Sequence, residues 1–230
     1  MLLLVKSLKV HCLGDSMDEY VILVDQNDHP IGKEDKAKCH LPNGKLHRAF
    51  TALIFNGEGK LLLTKRSDKK MLWPSYWDGT IASHPRESET YVSSAERRMP
   101  EEIGIDCKMN YMNKFEYHVP YKDIGSENEI CGTLIGIVDD FDETCLIKDE
   151  ISEIKWIGPD ELKNDLQQNM DVYCPWMVIA LYFLDRSSYP NGDKFHSLIK
   201  NWTSDDLKHV YENAIKHYIP NNNWRRVPDG

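Results

Sequence analysis

The sequence predicts an α/β layered fold, with helices packed on a mixed sheet. Three observations carry this. Strand-like runs dominate from Tyr20 to Ile157. Helical patterns take over from Pro159. A strand–turn–helix stretch, Trp77 to Gly104, lies between the early strands and the later ones.

The elements follow in order. Residues 1–19 form a loose N-terminal arm. Tyr20–Asp25 reads as a strand, closed by a turn at Gln26–Pro30. Leu46–Phe55 is a second strand, Asn56-Gly57-Glu58-Gly59 a hairpin turn, and Leu61–Arg66 the return strand. Trp77–Ala82 is one short strand that turns at Ser83-His84-Pro85 into a helix ending before Gly104. Lys114–Val119, Ile130–Val138 and Glu153–Ile157 are further strands. Pro159–Gln167, Pro175 to about Leu184, and segments near 192–201 and 203–217 are helices.

A chain of 230 residues, 41% hydrophobic, suits one large domain or a domain with an appendage. A net charge of −9 argues against sequence-independent nucleic-acid binding, although a local Lys/Arg cluster can still grip a small anion. The first residues, MLLLVKSLKV, hold only a short apolar run, and no stretch reaches membrane-spanning length. A soluble, cytoplasmic protein is expected, a monomer or weak homo-oligomer. Cys12, Cys39, Cys107, Cys131, Cys145 and Cys174 are scattered without a CxxC pair, so reduced thiols are expected.

Several residues point to chemistry. On the central helix Arg97 can pair with Glu101 and Arg98 with Glu102, four residues apart. Adjacent carboxylates held by guanidinium groups suit a divalent cation beside a phosphate; read blandly, they are a solvated helix face. His40 and His47 flank the turn Leu41–Lys45, and His84 follows the short strand. Glu127 and Glu129, just before a strand, face one side if the chain there is extended. Three imidazoles and two carboxylates suit Zn²⁺, Mn²⁺ or Mg²⁺, provided they converge; any one histidine alone is an ordinary core or surface residue. Lys36, Arg66, Lys69, Lys70 and Arg98 form a basic group able to grip a diphosphate, or a solvated loop in the case of Lys69. Tyr117 lies on a strand. Trp176 follows Pro175 in the first turn of a helix, where it either packs in the core or offers an indole face to a cation.

Together these residues resemble the type I isopentenyl diphosphate isomerases, the metal-dependent branch built on a Nudix fold. The segments KAKCHLPNGKLHRAF, LLLTKRSDKK, WDGTIASHP, RRMPEEIG, ENEI and PWMVIA carry the resemblance, over about residues 20–185. It implies a Nudix-like α/β/α sandwich with a mixed sheet and added C-terminal helices: an arm over 1–19, an isomerase domain over 20–190 and a helical extension over 191–230. It further implies that His40, His47, His84, Glu127 and Glu129 ligate one divalent metal, and that Glu102 helps hold a Mg²⁺ bridging to the substrate diphosphate. Lys36, Arg66, Lys70 and Arg98 would contact the diphosphate or orient its ligands. Glu129, with Tyr117, would move a proton, and Trp176 would cover the hydrocarbon tail and stabilise positive charge. The implied partner is a small isoprenoid diphosphate.

The chain departs from the family at Ala82, where the family carries a cysteine as its second proton-transfer group. Three readings stay open: an introduced substitution, a natural alanine with another group or a water serving, or a protein that has left isomerisation behind. Glu101-Glu102, with Arg97, Gly104 and Glu89, also comes close to the box of Nudix hydrolases, so a diphosphate hydrolase using Glu101 and Glu102 is the alternative enzyme. A non-catalytic isoprenoid diphosphate-binding protein is the third.

Overall fold

The computed structural model describes residues 20–139, 146–185 and 194–229. The arm expected over 1–19, the boundary at 190, Cys12 and Cys145 lie outside them.

β1 (Tyr20–Val24) and β2 (Pro30–Asp35) form a hairpin. The sequence PIGKED has no apolar alternation, so nothing local marks β2; it is an edge strand held by backbone pairing to β1. Asp35 then caps the single-turn helix α1 (Lys36–His40), accepting from the Lys38 N–H at 3.0 Å. β3 (His47–Phe55) is almost wholly buried. Ala49, Leu53 and Phe55 join one core, and Phe50, Ala52 and Ile54 the other, as the two-residue period of a central strand requires. β4 (Leu61–Arg66) returns across a turn in which Asn56 Oδ1 accepts from the Glu58 and Lys60 amides.

The stretch expected as one strand over Trp77–Ala82 is two. β5 (Trp77–Asp78) pairs with β4, and β6 (Ile81–Ser83) with β3. Thr80 sits at the break, its hydroxyl accepting from Ile54 N and donating to Leu62 O. Different tertiary partners divide a run that is locally continuous. α2 (Tyr91–Ile103) follows, with a Thr90/Ser93 capping box and a left-handed Gly104 (φ 71°) at its C-terminus.

β7 (Asn110–Tyr121) and β8 (Gly125–Ile137) form a hairpin longer than expected, so Glu127 and Glu129 lie within β8 rather than before it. β8 runs parallel to β3 from His47↔Glu129 to Phe55↔Ile137. β9 (Ile151–Ile157) pairs with β4. Helices α3 (Pro159–Asn169), α4 (Pro175–Phe183), α5 (Lys194–Trp202) and α6 (Asp205–Tyr218) come next, and β10 (Trp224–Val227) closes on β7. The strand order is β10-β7-β8-β3-β1-β2, with β4 and β6 joined to β3, and β5 and β9 joined to β4.

One apolar layer lies between the sheet and α3, α4 and α6; the other lies between the sheet and α2. The C-terminal segment is part of the first layer. Ile199, Trp202, Leu207, Tyr211 and Ile215 are buried in it, and Trp202 Nε1–H donates to Gly59 O at 2.9 Å. The segment expected as purely helical therefore also ends in a sheet strand. Among the described residues no helix is long and apolar enough to cross a membrane.

Candidate active site

The turn between α1 and β3 is folded against the start of β8. Gly44 adopts φ 69°, and a Cβ there would come within 3.0 Å of Asn128 Cβ and Ser126 O. Asn128 Nδ2–H donates to Gly44 O at 3.1 Å. This close approach sets His40 and His47, at the two ends of the turn, beside Glu127 and Glu129.

The four ligand atoms offered by His40, His47, His84 and Glu129 lie within 4.8 Å of one another. His40 Nδ1 is 2.6 Å from Lys36 O, and His47 Nδ1 is 2.8 Å from Lys45 O. A carbonyl accepts only from N–H, so in the neutral imidazoles each Nε2 carries the lone pair. His47 Nε2 is 3.2 Å from His84 Nε2 and 3.2 Å from Glu129 Oε1, which is 3.3 Å from His84 Nε2. Nitrogen lone pairs and a carboxylate converge on one point, and such a set needs positive charge at its centre. Donor type, spacing and fixed tautomers all fit one divalent cation. Burial opposes protonation of His47, yet Cys39 and Glu129 beside it hold its pKa well above the ordinary range. Burial likewise opposes His40, and Glu127, 2.9 Å from its Nε2, more than offsets it. Glu127 Oε2 therefore lies beside the four-residue group, against the same His40 Nε2 lone pair that a cation would take.

A cavity of about 450 Å³ opens onto this cluster. His40, His84, Glu127, Glu129, Tyr117, Trp176, Ala82, Lys36, Arg66 and Lys70 line it; His47 lies fully buried behind. Tyr117 faces Glu129 across the β7–β8 pair and donates to its Oε2 at 2.6 Å. Burial, with Glu129 and Glu127 nearby, pushes the phenol far above its ordinary pKa, so it stays a donor. Burial would raise Glu129, but His47 and the Tyr117 hydroxyl hold it lower than usual. Trp176 is both core and cavity wall: 3% exposed, with Nε1–H donating to Asp78 at 2.7 Å.

At the cavity mouth Lys70 is ion-paired with Glu150, and Lys69 with Asp149. Arg98 and Glu102 form the expected pair but lie behind this rim. Burial raises the Glu102 carboxyl against the pull of Arg98 and Lys70. Glu101 is 43% exposed, turned toward Arg97 and Arg98, and does not line the cavity, so a hydrolase using Glu101 has no support in the geometry. Ala82 stands on the cavity wall. Of the free cysteines among the described residues, only Cys131 also lines the cavity; burial and the Glu129 charge keep it a neutral thiol.

Sequence reasoning missed Asp78 and Glu150. Glu150 sits in a loop with no local signal. Asp78 did leave one, since Asp is uncommon inside strands.

Residues 45–177 match the NUDIX domain model. An isopentenyl-diphosphate Delta-isomerase of Halobacterium salinarum is 36% identical over 195 residues, covering 79% of this chain and 88% of the relative. An isopentenyl-diphosphate Delta-isomerase 2 of Photorhabdus laumondii is 37% identical over 183 residues, covering 80% of this chain and 100% of the relative. A solved structure from Deinococcus radiodurans superposes with a TM-score of 0.58 at 18% identity, over 75% of this chain and all of the other, and shows the shared fold. The chain belongs to the Nudix family and, within it, to the type I isopentenyl-diphosphate Delta-isomerases.

Proposed function

We propose that this protein interconverts isopentenyl and dimethylallyl diphosphate by moving a proton across three carbons. The observation that carries the reading is the Tyr117–Glu129 hydrogen bond at 2.6 Å inside a cavity also walled by Trp176. Adding a proton to the terminal carbon of the double bond leaves a tertiary cation, and removing one from the carbon on its other side makes the product. Glu129 holds one of these protons, and Tyr117 orients its carboxylate. The Trp176 face covers the hydrocarbon and stabilises the cation, with water excluded by the buried wall.

Lys36, Arg66 and Lys70 line the cavity and bind the diphosphate. Glu102, held by Arg98 outside the cavity lining, would help hold a Mg²⁺ that neutralises the diphosphate. His40, His47, His84 and Glu129, with Glu127 beside His40 Nε2 as a fifth ligand, would hold one divalent ion, Zn²⁺, Mn²⁺ or Mg²⁺. When bound, that ion supplies the positive charge that fixes Glu129. Ala82 has no transferable proton, so the second transfer uses a group other than residue 82.

The test is to incubate isopentenyl diphosphate in D₂O with the protein, with Ala82→Cys and with Cys131→Ser, and to follow both isomers by NMR. Turnover with deuterium incorporation supports the reading. If neither the protein nor Ala82→Cys isomerises or exchanges deuterium, the reading fails.

A further inference from the structure

Asp78 does not line the cavity, yet it is bonded to two residues that do. It is 2% exposed, on the two-residue strand β5. Its Oδ1 accepts from Trp176 Nε1–H at 2.7 Å and from Gly79 N–H at 2.7 Å. Its Oδ2 accepts from Arg66 Nη1 at 3.2 Å. The guanidinium carbon of Arg66 lies 5.2 Å from the Trp176 ring centroid, which closes a triangle of carboxylate, indole and guanidinium. The rest of Arg66 is fixed as well, with Nε donating to Trp73 O and Nη2 to Leu72 O, each at 3.1 Å.

The backbone fixes Asp78 just as firmly. β5 pairs with β4 through Thr64↔Asp78 on one side. On the other, Trp77 bridges to Tyr173, and Cys174 N–H donates to Trp77 O at 2.8 Å. α4, which carries Trp176, begins at the next residue, Pro175. The strand that bears the carboxylate therefore also sets where the helix bearing the indole starts.

We propose that Asp78 is a positioning residue that locks Trp176 and Arg66 into one unit, holding the indole and the guanidinium in place on the cavity wall. This rests on the roles proposed above for Trp176 and Arg66. A charged acceptor binds an indole N–H more strongly than a neutral one does. It also raises the electron density of the ring that faces the substrate, and a cation over that ring is attracted in proportion. Asparagine keeps the size and one acceptor but loses the charge, and its NH₂ group would face the Arg66 guanidinium.

Asp78→Asn is expected to lower kcat about tenfold to hundredfold, the scale of a small displacement of a reacting group, and to raise KM through Arg66. The Trp176 indole ¹H–¹⁵N resonance, assigned by its loss in Trp176→Phe, is expected to move upfield in Asp78→Asn. In the Trp176→Phe background, Asp78→Asn is expected to cost less than it does alone, because part of its effect passes through the missing N–H. Binding of inorganic pyrophosphate, measured by calorimetry on the metal-loaded protein, is expected to weaken. If wild-type protein proves not to isomerise, the resonance and the pyrophosphate titration still decide the positioning claim on their own. An unmoved indole resonance, or a loss of thermal stability with kcat, KM and pyrophosphate affinity per folded molecule unchanged, overturns it.

Discussion

Tyr117 and Glu129 are direct partners in the β7–β8 register, and the phenol donates to the carboxylate at 2.6 Å in a fully buried setting. Tyr117→Phe keeps the ring and removes only that donor. Glu129 then loses one of the groups that hold its pKa down. The expected result is a fall in kcat of about tenfold to hundredfold, since positioned proton transfer is worth roughly 10²–10⁴-fold in all. Thermal unfolding should show a loss of about 1–3 kcal/mol, the usual cost of depriving a buried polar group of its partner. Wild-type kcat in Tyr117→Phe would show that the hydroxyl has no part in catalysis.

The imidazole–carboxylate cluster predicts a metal-dependent stability. A ligand at about 100 times its Kd stabilises the folded state by roughly 2.7 kcal/mol. In a chain of this size that raises Tm by about 5–10 °C. Differential scanning calorimetry of chelated protein with added Zn²⁺, Mn²⁺ or Mg²⁺ should show a rise of this order for the preferred ion, with one ion bound per chain by elemental analysis. In His84→Ala the rise should vanish.

Acid stability should depend on Glu89. Its carboxylate accepts from Arg97 and from the Arg86 amide, and these bonds hold its pKa at about 2. The sign follows from comparison with the unfolded chain, where the group titrates near 4.5. The folded state binds this proton more weakly, so the contribution is complete above about pH 4.5 and is lost as pH falls toward 2. Urea unfolding of wild type and Glu89→Gln at pH 6, 4 and 3 should show the gap between them narrowing as pH falls. A gap that stays constant would remove the ion pair from the explanation.

The β10 strand covers an edge. It pairs Trp224↔Tyr117 through Val227↔Lys114, and Trp224 packs on Tyr182 and Phe183. Truncation after Tyr218 should leave β7 with unpaired backbone groups, lower Tm and promote self-association visible by light scattering. Unchanged Tm in a monodisperse truncated protein would assign the strand no structural role.

What the sequence made legible follows from what is local. The β3–β4 hairpin is marked by Asn56-Gly57-Glu58-Gly59, and α2 by its charge spacing and Gly104, because turns and caps are short-range chemistry. β2 and β10 were hidden because PIGKED and WRRV are strands only by docking on a neighbour. The split of Trp77–Ala82 was hidden for the same reason. Among the site residues, the histidines and glutamates could be named from their types, but their convergence depends on the turn at Gly44 and the β3–β8 register. Asp78 could not be assigned a partner, because Arg66 and Trp176 lie 12 and 98 residues away from it.

The parallel register of β3 with β8 also carries a kinetic meaning. His47 and Glu129 meet only after a long crossover has closed, and such non-local pairing forms slowly. A metal ion therefore has no assembled site to grip early in folding. Its stabilisation should fall on the unfolding limb of the chevron, slowing escape from the native state and leaving the refolding rate nearly unchanged.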